Sequence, residues 1–493
     1  MSLGELVLYV AIVAIILTLI FGFGMKKVKN YGLSFLQNFA GVLFIVSGAV
    51  KVVDPLGTAY KMQDYFEQFE LTFEPTFLSF LAPLFPFLSK YADTFSIIVV
   101  VFELLLGLML IIGHRRKLVS WLFLILVVFF TFLTGFTFLT GYVPSDANFF
   151  DFSTWQAYDA NNMRVTDCGC FGDFIKLEPR VSFLKDLFLL IPSFLFILLW
   201  RQQHQLFNSG IRDAITIGAT LLFTIYGMSN YVWNIPDYDF RPFTEGRNLY
   251  ERKSAEEEAM ANVSIQGVTL TEKSSGKVIP MEYNEYLKVF KEYPSESYEI
   301  EYEYSEPELE RTKLSDFVVF DEDGNDVAND LLQQEGYSFM VVSYYLKGEV
   351  SYDYITEQDT LYKMDTIGLN TDTMRVEKAI DQIVEQERTE VNAAWDDDFV
   401  SIYKEVINPI LASANEDQYT TYVMVGKSTF DAMYDFKKYA EVPARFYEAD
   451  NILLKTIVRS NPGLVLLKDG VLVKKWHWKQ IPSYEEIKNV YIK

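Results

Sequence analysis

The chain's two cysteines lie one residue apart, in the stretch Asp167-Cys168-Gly169-Cys170-Phe171-Gly172-Asp173. Thiols at this spacing can ligate a metal, close a disulfide or be ordinary buried side chains. Trans peptide geometry keeps the two α-carbons within about 5–7 Å, so a disulfide is reachable, although its small ring would be strained. Because strained disulfides exchange more readily, the spacing favours redox chemistry over a structural crosslink.

Charged residues near the cysteines bear on how easily a thiolate forms. Asp167 and Asp173 flank the pair and would raise the pKa of the thiols. Arg164 and Lys176 would offset this only if the fold brings them close. We expect no metal site, because a Cys/His site would need a histidine near the thiols and the histidines lie elsewhere, at His114, His204 and His477.

The two halves of the chain differ sharply in charge. Residues 1–233 carry a net charge of −1, whereas the whole chain carries −23. An acidic second half with few basic clusters argues against nucleic acid as a partner. The length exceeds the roughly 250–300 residues at which a single core stops growing, so several domains are expected. We divide the chain into a membrane bundle at 1–235, a linker with a small β-containing region at 236–314, and an α/β domain at 315–493.

Long apolar runs in the first half predict an α-helical bundle of about six membrane spans. Each run is close to the ~20 residues that a helix needs to cross a bilayer. The runs cover residues 6–24, 34–53, 95–113, 118–141, 182–200 and 213–233. No basic residue precedes the first run, so we interpret it as an uncleaved span rather than a signal peptide.

Basic residues between the spans predict the orientation, because short cytoplasmic loops are enriched in Lys and Arg. The loops after spans one, three and five contain such residues: Lys26, Lys27, Lys29, Arg115, Arg116, Lys117, Arg201 and Arg212. The N-terminus, the cysteine loop and the C-terminal domain then face the opposite side. We therefore predict a bacterial inner-membrane protein whose cysteines face the periplasm, where disulfide chemistry is permitted.

Two of the ionisable residues inside predicted spans are candidates for a functional role. Lys51 lies near the external end of span two, where it either snorkels to the membrane surface or stabilises a thiolate or a quinone oxygen. Glu103 lies within span three, where a carboxylate marks a functional path, such as a proton relay, or a buried hydrogen bond. The apolar, proline-containing segment 76–88 is too short to span, so we expect it to lie at the interface or re-enter the membrane, either shielding a quinone tail or serving as a packing lid.

Two motifs carry a resemblance to a known family. The stretch 44–55, Phe-Ile-Val-Ser-Gly-Ala-Val-Lys-Val-Val-Asp-Pro, and the stretch 168–173, Cys-Gly-Cys-Phe-Gly-Asp, resemble the DoxX-like membrane family and most closely its MauE-like (methylamine utilisation) branch. The resemblance covers about residues 34–205. It implies a helical bundle with a redox role at its outer face, disulfide formation in a periplasmic partner, and quinone-linked chemistry in some relatives. Cys168 and Cys170 would take the redox role, and Lys51 occupies a motif position.

The second half alternates predicted strands and helices from about residue 315, an order typical of an α/β domain. Predicted strands lie at 298–304, 338–346 and 420–425, with a hairpin at 462–476; predicted helices lie at 372–415, 428–439 and 483–491. The domain resembles a thioredoxin-like domain in which Asn461-Pro462-Gly463 takes the position of the cis-proline loop. Where that family carries Cys-x-x-Cys, this chain has Leu346-Lys347-Gly348-Glu349. The domain is then a redox-silent module.

Two functions remain open from the sequence. The first is a membrane thiol-disulfide oxidoreductase, in which Cys168 and Cys170 exchange with a periplasmic protein and pass electrons to a quinone. The second is a non-enzymatic membrane scaffold or assembly factor that binds a periplasmic partner through the thioredoxin-like domain, with the Cys-Gly-Cys as a structural clasp. The lack of further cysteines means that the pair must meet its substrate directly or use an external carrier.

Overall fold

In the computed structural model, residues 2–165, 168–367 and 375–492 are described, and the chain divides into a membrane unit, residues 1–241, and a C-terminal unit, residues 242–493. Asp167, which the sequence places beside the cysteines, lies outside the described residues. Each unit has its own hydrophobic core.

Within the described residues, six helices are long and apolar enough to cross a membrane, so the prediction of six spans is confirmed. They are α1 (Leu3–Leu19, continued as a π-helix to Gly24), α2 (Tyr31–Val53), α5 (Ala92–Ile112), α6 (Arg116–Thr140), α7 (Pro179–Leu198) and α8 (Ser209–Met228, continued as a π-helix to Trp233). Polar residues extend several helices beyond their apolar runs. The side chains of Ser2, Asn30 and Asn208 cap α1, α2 and α8 and satisfy exposed backbone amides.

Two further helices connect α2 to α5. Asp54 caps α3 (Pro55–Phe73), and a 3₁₀ turn at Ser79–Leu81 leads to α4 (Leu84–Lys90). Segment 76–88, predicted as too short to span, thus contains the 3₁₀ turn and most of α4. Aromatic side chains from these helices pack together on α6, with Phe69 of α3 contacting Phe85 and Phe136 at ring-centroid distances of 5.6 and 4.9 Å.

Helices α2 and α5 approach closely because glycines face each other at their crossing. A Cβ atom added to Gly107 would lie 2.7 Å from the carbonyl oxygen of Gly41, and one added to Gly41 would lie 2.8 Å from the carbonyl oxygen of Gly107. Small residues allow such contacts between membrane helices. The contact fixes how α2 and α5 lie against each other, and therefore where Lys51 and Glu103 can meet.

We expect Gly107→Leu to destabilise the membrane unit by about 1–3 kcal/mol, because the added side chain forces α2 and α5 apart. The midpoint of thermal unfolding in detergent measures this effect. Gly218→Leu on α8 is the matched control, since a Cβ atom at Gly218 meets no atom within 4 Å. An equal loss of stability in both variants would contradict the packing role of Gly107.

The C-terminal unit begins with a helix and a small antiparallel sheet. The sheet has the order β2-β1-β3, formed by β1 (Ile265–Glu272), β2 (Val278–Glu282) and β3 (Tyr298–Tyr304); the helices are α9 (Leu249–Ala261) and α10 (Tyr283–Val289). Strand β3 agrees with the strand predicted at 298–304. Helix α9 was not expected in the predicted linker region. Its fully buried Glu256 accepts hydrogen bonds from Thr312 and Ser315, which anchors the helix.

A larger mixed sheet follows, with the order β11-β10-β5-β8-β9-β4. Strands β5, β8 and β9 are parallel, whereas β10 pairs antiparallel with β5 and with β11. The strands are β4 (Val319–Phe320), β5 (Tyr337–Ser343), β8 (Thr420–Val425), β9 (Arg445–Ala449), β10 (Gly463–Lys468) and β11 (Val471–His477). The surrounding helices are α11 (Ala328–Leu332), α12 (Asp397–Ile402), α13 (Asn408–Glu416), α14 (Phe430–Tyr439), α15 (Asn451–Ile457) and α16 (Tyr484–Tyr491). The Asn461–Pro462 peptide bond is cis.

One element prediction in this unit is wrong. A helix is predicted at 372–415, but helical structure begins only at α12. Residues 375–395 instead form a strand, β7 (Arg375–Trp395). This strand pairs antiparallel with β6 (Gly348–Ile367) in a long two-stranded ribbon. Residues 372–374 lie outside the described residues. The apolar residues Val376, Ala379, Ile380 and Ile383 follow the helical period. Pairing with β6 overrides that local signal, because strand pairing depends on a partner distant in sequence.

Candidate functional site

The Cys-Gly-Cys loop is held against the end of α2. Gly169 and Gly172 have positive φ angles of +60° and +52°, a conformation that favours glycine and lets the loop turn tightly. The hydroxyl of Ser47 on α2 donates a hydrogen bond of 2.8 Å to the carbonyl oxygen of Cys170. The dithiol is therefore fixed next to the last turn of α2, which carries Lys51.

Cys168 and Cys170 are both half-buried, and no disulfide joins them in this structure. A hydrogen bond from the Cys168 side chain lowers the pKa of Cys170 to about 7, against the opposing effect of burial. The positive charges of Lys185 and Lys51 lower the pKa further, and the negative charge of Asp186 raises it. The Cys170 thiol therefore ionises near neutral pH.

The charges that act on Cys170 differ from those expected. Among the described residues, the charges with the strongest effects on Cys170 are those of Lys185, Asp186 and Lys51. Arg164, offered as a compensating cation, instead donates hydrogen bonds to the Thr72 hydroxyl and the Ala147 carbonyl. Lys176 is exposed to solvent. The cations with the strongest effects on the Cys170 thiol, Lys185 and Lys51, therefore come from membrane helices.

Lys51 and Glu103 form a buried ion pair between α2 and α5. The Lys51 Nζ lies 2.8 Å from the Glu103 Oε2 and 3.2 Å from the Ser47 Oγ, and it lies over the Phe130 ring at 5.2 Å from the centroid. Lys51 is 6% exposed and Glu103 is 2% exposed. The snorkelling interpretation of Lys51 is therefore wrong, because its ammonium group points into the protein and not to the membrane surface.

A second ion pair lies on α7, where no site residue was predicted from the sequence. The Lys185 Nζ is 2.5 Å from the Asp186 Oδ1, and the Thr134 hydroxyl of α6 donates a 3.0 Å hydrogen bond to the Asp186 Oδ2. Asp186 is 1% exposed. Both charged residues fall within the predicted span 182–200, and ionisable residues in a membrane span are functional candidates by position alone. That signal was available from the sequence.

A single cavity of about 270 Å³ connects these groups. Its polar wall contains Ser47, Lys51, Glu103, Thr134, Cys168, Cys170, Lys185 and Asp186. Its apolar wall includes Leu43, Phe44, Phe66, Phe130 and Leu189. The structure thus brings all four predicted site residues, Cys168, Cys170, Lys51 and Glu103, to one enclosed space, together with the Lys185–Asp186 pair.

The cavity is covered by α3 and α4 and reaches the outer surface of the bundle at α6. Phe85 and Leu88, from the segment for which a shielding role or a packing role was expected, line it. Phe129 of α6 also lines it and is 46% exposed. An apolar molecule in the cavity would therefore contact both the thiols and the side of a membrane-spanning helix.

No group of three or more His, Cys, Asp or Glu residues able to hold a metal occurs among residues 2–165, 168–367 and 375–492. His204 contacts the Ser34 hydroxyl at 2.6 Å and the Ile111 carbonyl at 2.8 Å. His114 lies 3.5 Å from Asp213. These contacts hold both histidines in other parts of the membrane unit, so the cavity chemistry rests on sulfur, amine and carboxylate groups.

Comparison with known proteins finds a family model that is similar to part of the chain. The family model described as methylamine utilisation protein MauE matches residues 29–145, a segment that includes Lys51, Glu103 and Thr134. The match ends before Cys168 and before α7. No curated protein and no solved structure matches the chain. The membrane unit is therefore MauE-like over residues 29–145, a membrane protein family linked by its description to methylamine utilisation.

Proposed function

We propose that this chain is an inner-membrane thiol-disulfide oxidoreductase in which Cys168 and Cys170 take electrons from a periplasmic protein and pass them to a quinone in the cavity. The observation that carries the proposal is that both cysteines line one apolar cavity together with two cations, the buried Lys51 and the half-buried Lys185. A thiolate with a pKa near neutrality beside an apolar chamber is suited to redox exchange.

The proposed cycle has two balanced half-reactions. A reduced partner protein gives two electrons and two protons to the Cys168–Cys170 disulfide, which becomes the dithiol while the partner gains a disulfide. The dithiol then gives two electrons and two protons to a quinone, which becomes a quinol while the Cys168–Cys170 disulfide reforms. Exchange proceeds through a mixed disulfide, and a sulfur of low pKa leaves readily. Because the pKa of Cys170 is lowered to about 7, we assign Cys170 as the leaving sulfur and Cys168 as the sulfur bonded to the partner protein.

The lining of the cavity is suited to binding a lipid-soluble electron acceptor. Phe44, Phe66 and Phe130 provide aromatic surface for a planar ring. The buried ammonium group of Lys51 supplies a hydrogen-bond donor of the kind that a quinone oxygen accepts. The exposure of Phe129 beside the cavity supports entry from the bilayer rather than from water. These features fit a quinone better than a soluble peptide.

The distribution of basic loops supports the periplasmic orientation. The Arg116 side chain, after α5, donates hydrogen bonds to the carbonyl oxygens of Arg201 and Gln203, after α7. Asn30, after α1, donates to the Gln202 side chain at 3.3 Å. The three basic loops therefore gather at one end of the bundle, whereas the cysteines lie next to the last turn of α2, at the other end. By the positive-inside tendency, the cysteine end is external.

Mixing the reduced full-length protein, in lipid nanodiscs, with a short-chain quinone tests the proposal. We expect one quinol to form for each Cys168–Cys170 dithiol oxidised, followed by quinone absorbance and by the mass shift after thiol alkylation. The Cys168→Ser/Cys170→Ser variant should form no quinol. Thiols that stay reduced in the presence of excess quinone would refute the quinone-linked proposal.

A second candidate function is a scaffold that binds a partner through the C-terminal unit. Two observations favour it. Parallel β5 and β8 followed by the β10–β11 hairpin and α16 give the element order on which the thioredoxin-like resemblance depends. The β6–β7 ribbon begins at Gly348, within the four residues that replace Cys-x-x-Cys. Isolated two-stranded ribbons are marginally stable in water, so a partner strand or surface would stabilise this one.

The two proposed functions differ in whether the partner interaction requires the cysteines. A partner that is recovered at wild-type yield with the Cys168→Ser/Cys170→Ser variant, and lost when residues 350–393 are replaced by a short Asn-Gly turn, supports the scaffold. A partner whose disulfide content falls in the cysteine variant supports the oxidoreductase.

A further inference from the structure

The Cys170 thiol faces ionisable groups from four membrane-unit helices. Cys168 lies beside it in the same loop. The ionisable side chains that line the same cavity are Lys51, Lys61, Tyr65, Glu103, Lys185 and Asp186. Among the groups that act on Cys170, Lys185 has the larger favourable charge effect, ahead of Lys51.

The Lys185 ammonium is fixed more firmly than an isolated membrane lysine would be. Its partner Asp186 is almost fully buried and is itself held by the Thr134 hydroxyl of the neighbouring helix. Lys51, in contrast, is paired with Glu103 and hydrogen-bonded to Ser47. The two lysines therefore have different partners within one cavity, and Lys185 has the larger effect on the Cys170 thiol.

We infer that Lys185, fixed by Asp186 and Thr134, is the positioning cation that holds Cys170 as a thiolate. This inference rests on the proposed function for its redox step. When a partner protein reduces the disulfide, one proton stays on the Cys168 thiol, the other is released to water, and Cys170 remains a thiolate beside the Lys185 ammonium. When a quinone takes two electrons from the Cys168 thiol and the Cys170 thiolate, it takes one proton from the Cys168 thiol and one from water, and the sulfurs rejoin as a disulfide.

The inference is tested without any quinone, by the pH dependence of alkylation at Cys170. The full-length protein is treated with a small maleimide, and tandem mass spectrometry resolves the two cysteines. We expect Lys185→Met to slow Cys170 alkylation at pH 7 by about tenfold, because an opposite charge nearby is lost. Lys185→Arg, which keeps the charge, should restore the wild-type profile. Lys176→Met removes an exposed lysine six residues from Cys170 and should change nothing.

Asp186→Asn supplies a test that a folding defect cannot mimic. Because the Asp186 charge raises the pKa of Cys170, its removal should speed alkylation below pH 7, opposite to the effect of Lys185→Met. Shifts in the same direction for both variants would indicate a general disturbance and overturn the inference. An unchanged profile in Lys185→Met would also overturn it. Neither result would contradict the redox proposal, because that proposal is tested by quinone-dependent oxidation of the wild-type dithiol.

Discussion

Cys168→Ser and Cys168→Ala are both expected to lose quinone-dependent oxidation entirely, but only Cys168→Ala should make Cys170 less reactive at neutral pH. Both variants lack the second sulfur, so neither can form the disulfide that a two-electron transfer requires. Serine keeps a hydroxyl that donates a hydrogen bond to Cys170, whereas alanine removes the donor. The two variants therefore separate the redox role of Cys168 from its electrostatic role.

The sign and size of the effect follow from the pKa of Cys170. A thiol whose pKa is lowered to about 7 is a thiolate above that pH and becomes protonated as the pH falls through it. In the wild type and in Cys168→Ser, alkylation of Cys170 should therefore be half-maximal near pH 7. In Cys168→Ala, the midpoint should move towards the ordinary thiol value, with a rate at pH 7 about tenfold lower.

Rates of maleimide alkylation measured from pH 5 to pH 10 provide the comparison. A Cys168→Ala profile identical to that of Cys168→Ser would show that the neighbouring thiol does not hold the Cys170 thiolate. Quinone-dependent disulfide formation cannot occur within either variant. Quinol formation in either of them would show that electrons reach the quinone by a route other than the proposed Cys168–Cys170 dithiol.

The membrane helices were predictable because their signal is local. An apolar run of about 20 residues has few alternatives to a membrane span, and each of the six runs became a helix. The helix starts were less accurate, since caps such as Asn30 and Asn208 extend a helix beyond its apolar run. Hydropathy reports the buried or lipid-facing part of a helix and not its polar first turn.

The site was predictable as a list of residues but not as an arrangement. Lys51 and Glu103 stand out because charge is rare in a span, yet they are 52 residues apart, and nothing in the sequence pairs them. Their pairing depends on the glycine contact between α2 and α5. Lys185 and Asp186 carry the same signal, a charge inside a span, whereas Arg164 and Lys176 are near the cysteines in sequence and would offset the aspartates only if the fold brought them close. Proximity along the chain was the poorer guide.

The β6–β7 ribbon shows the limit of periodicity. Its second strand has apolar residues at helical spacing, but the backbone pairs with a strand that precedes it in sequence. In the same unit, β8 and the β10–β11 hairpin closed by Asp469-Gly470 were predicted correctly. Those segments carry continuous apolar runs and a turn sequence that favours hairpins, so local and long-range preferences agree.

Removing the Lys51 ammonium is expected to destabilise the membrane unit far more than removing an exposed cation. In Lys51→Met, Glu103 keeps a carboxylate that is 2% exposed and has lost its cation. Breaking a buried ion pair from one side typically costs about 3–5 kcal/mol, because the remaining charge is left uncompensated. The midpoint of thermal unfolding in nanodiscs measures the loss. Arg115→Met is the control, since the Arg115–Asp213 pair is largely exposed and should contribute less than about 1 kcal/mol.

The double variant Lys51→Met/Glu103→Gln distinguishes structure from function. Replacing a buried ion pair by groups of similar volume without charge is often neutral for stability, so the double variant should recover most of the unfolding midpoint. If Lys51 also binds the quinone oxygen, quinone reduction should remain low in this stable protein. Recovery of both stability and quinone reduction would assign the Lys51–Glu103 pair to packing alone, and would leave Lys185 as the cation that serves the redox chemistry. Failure to recover stability would show that Lys51 holds α2 through more than Glu103, with the Ser47 hydrogen bond and the Phe130 ring as the remaining contacts.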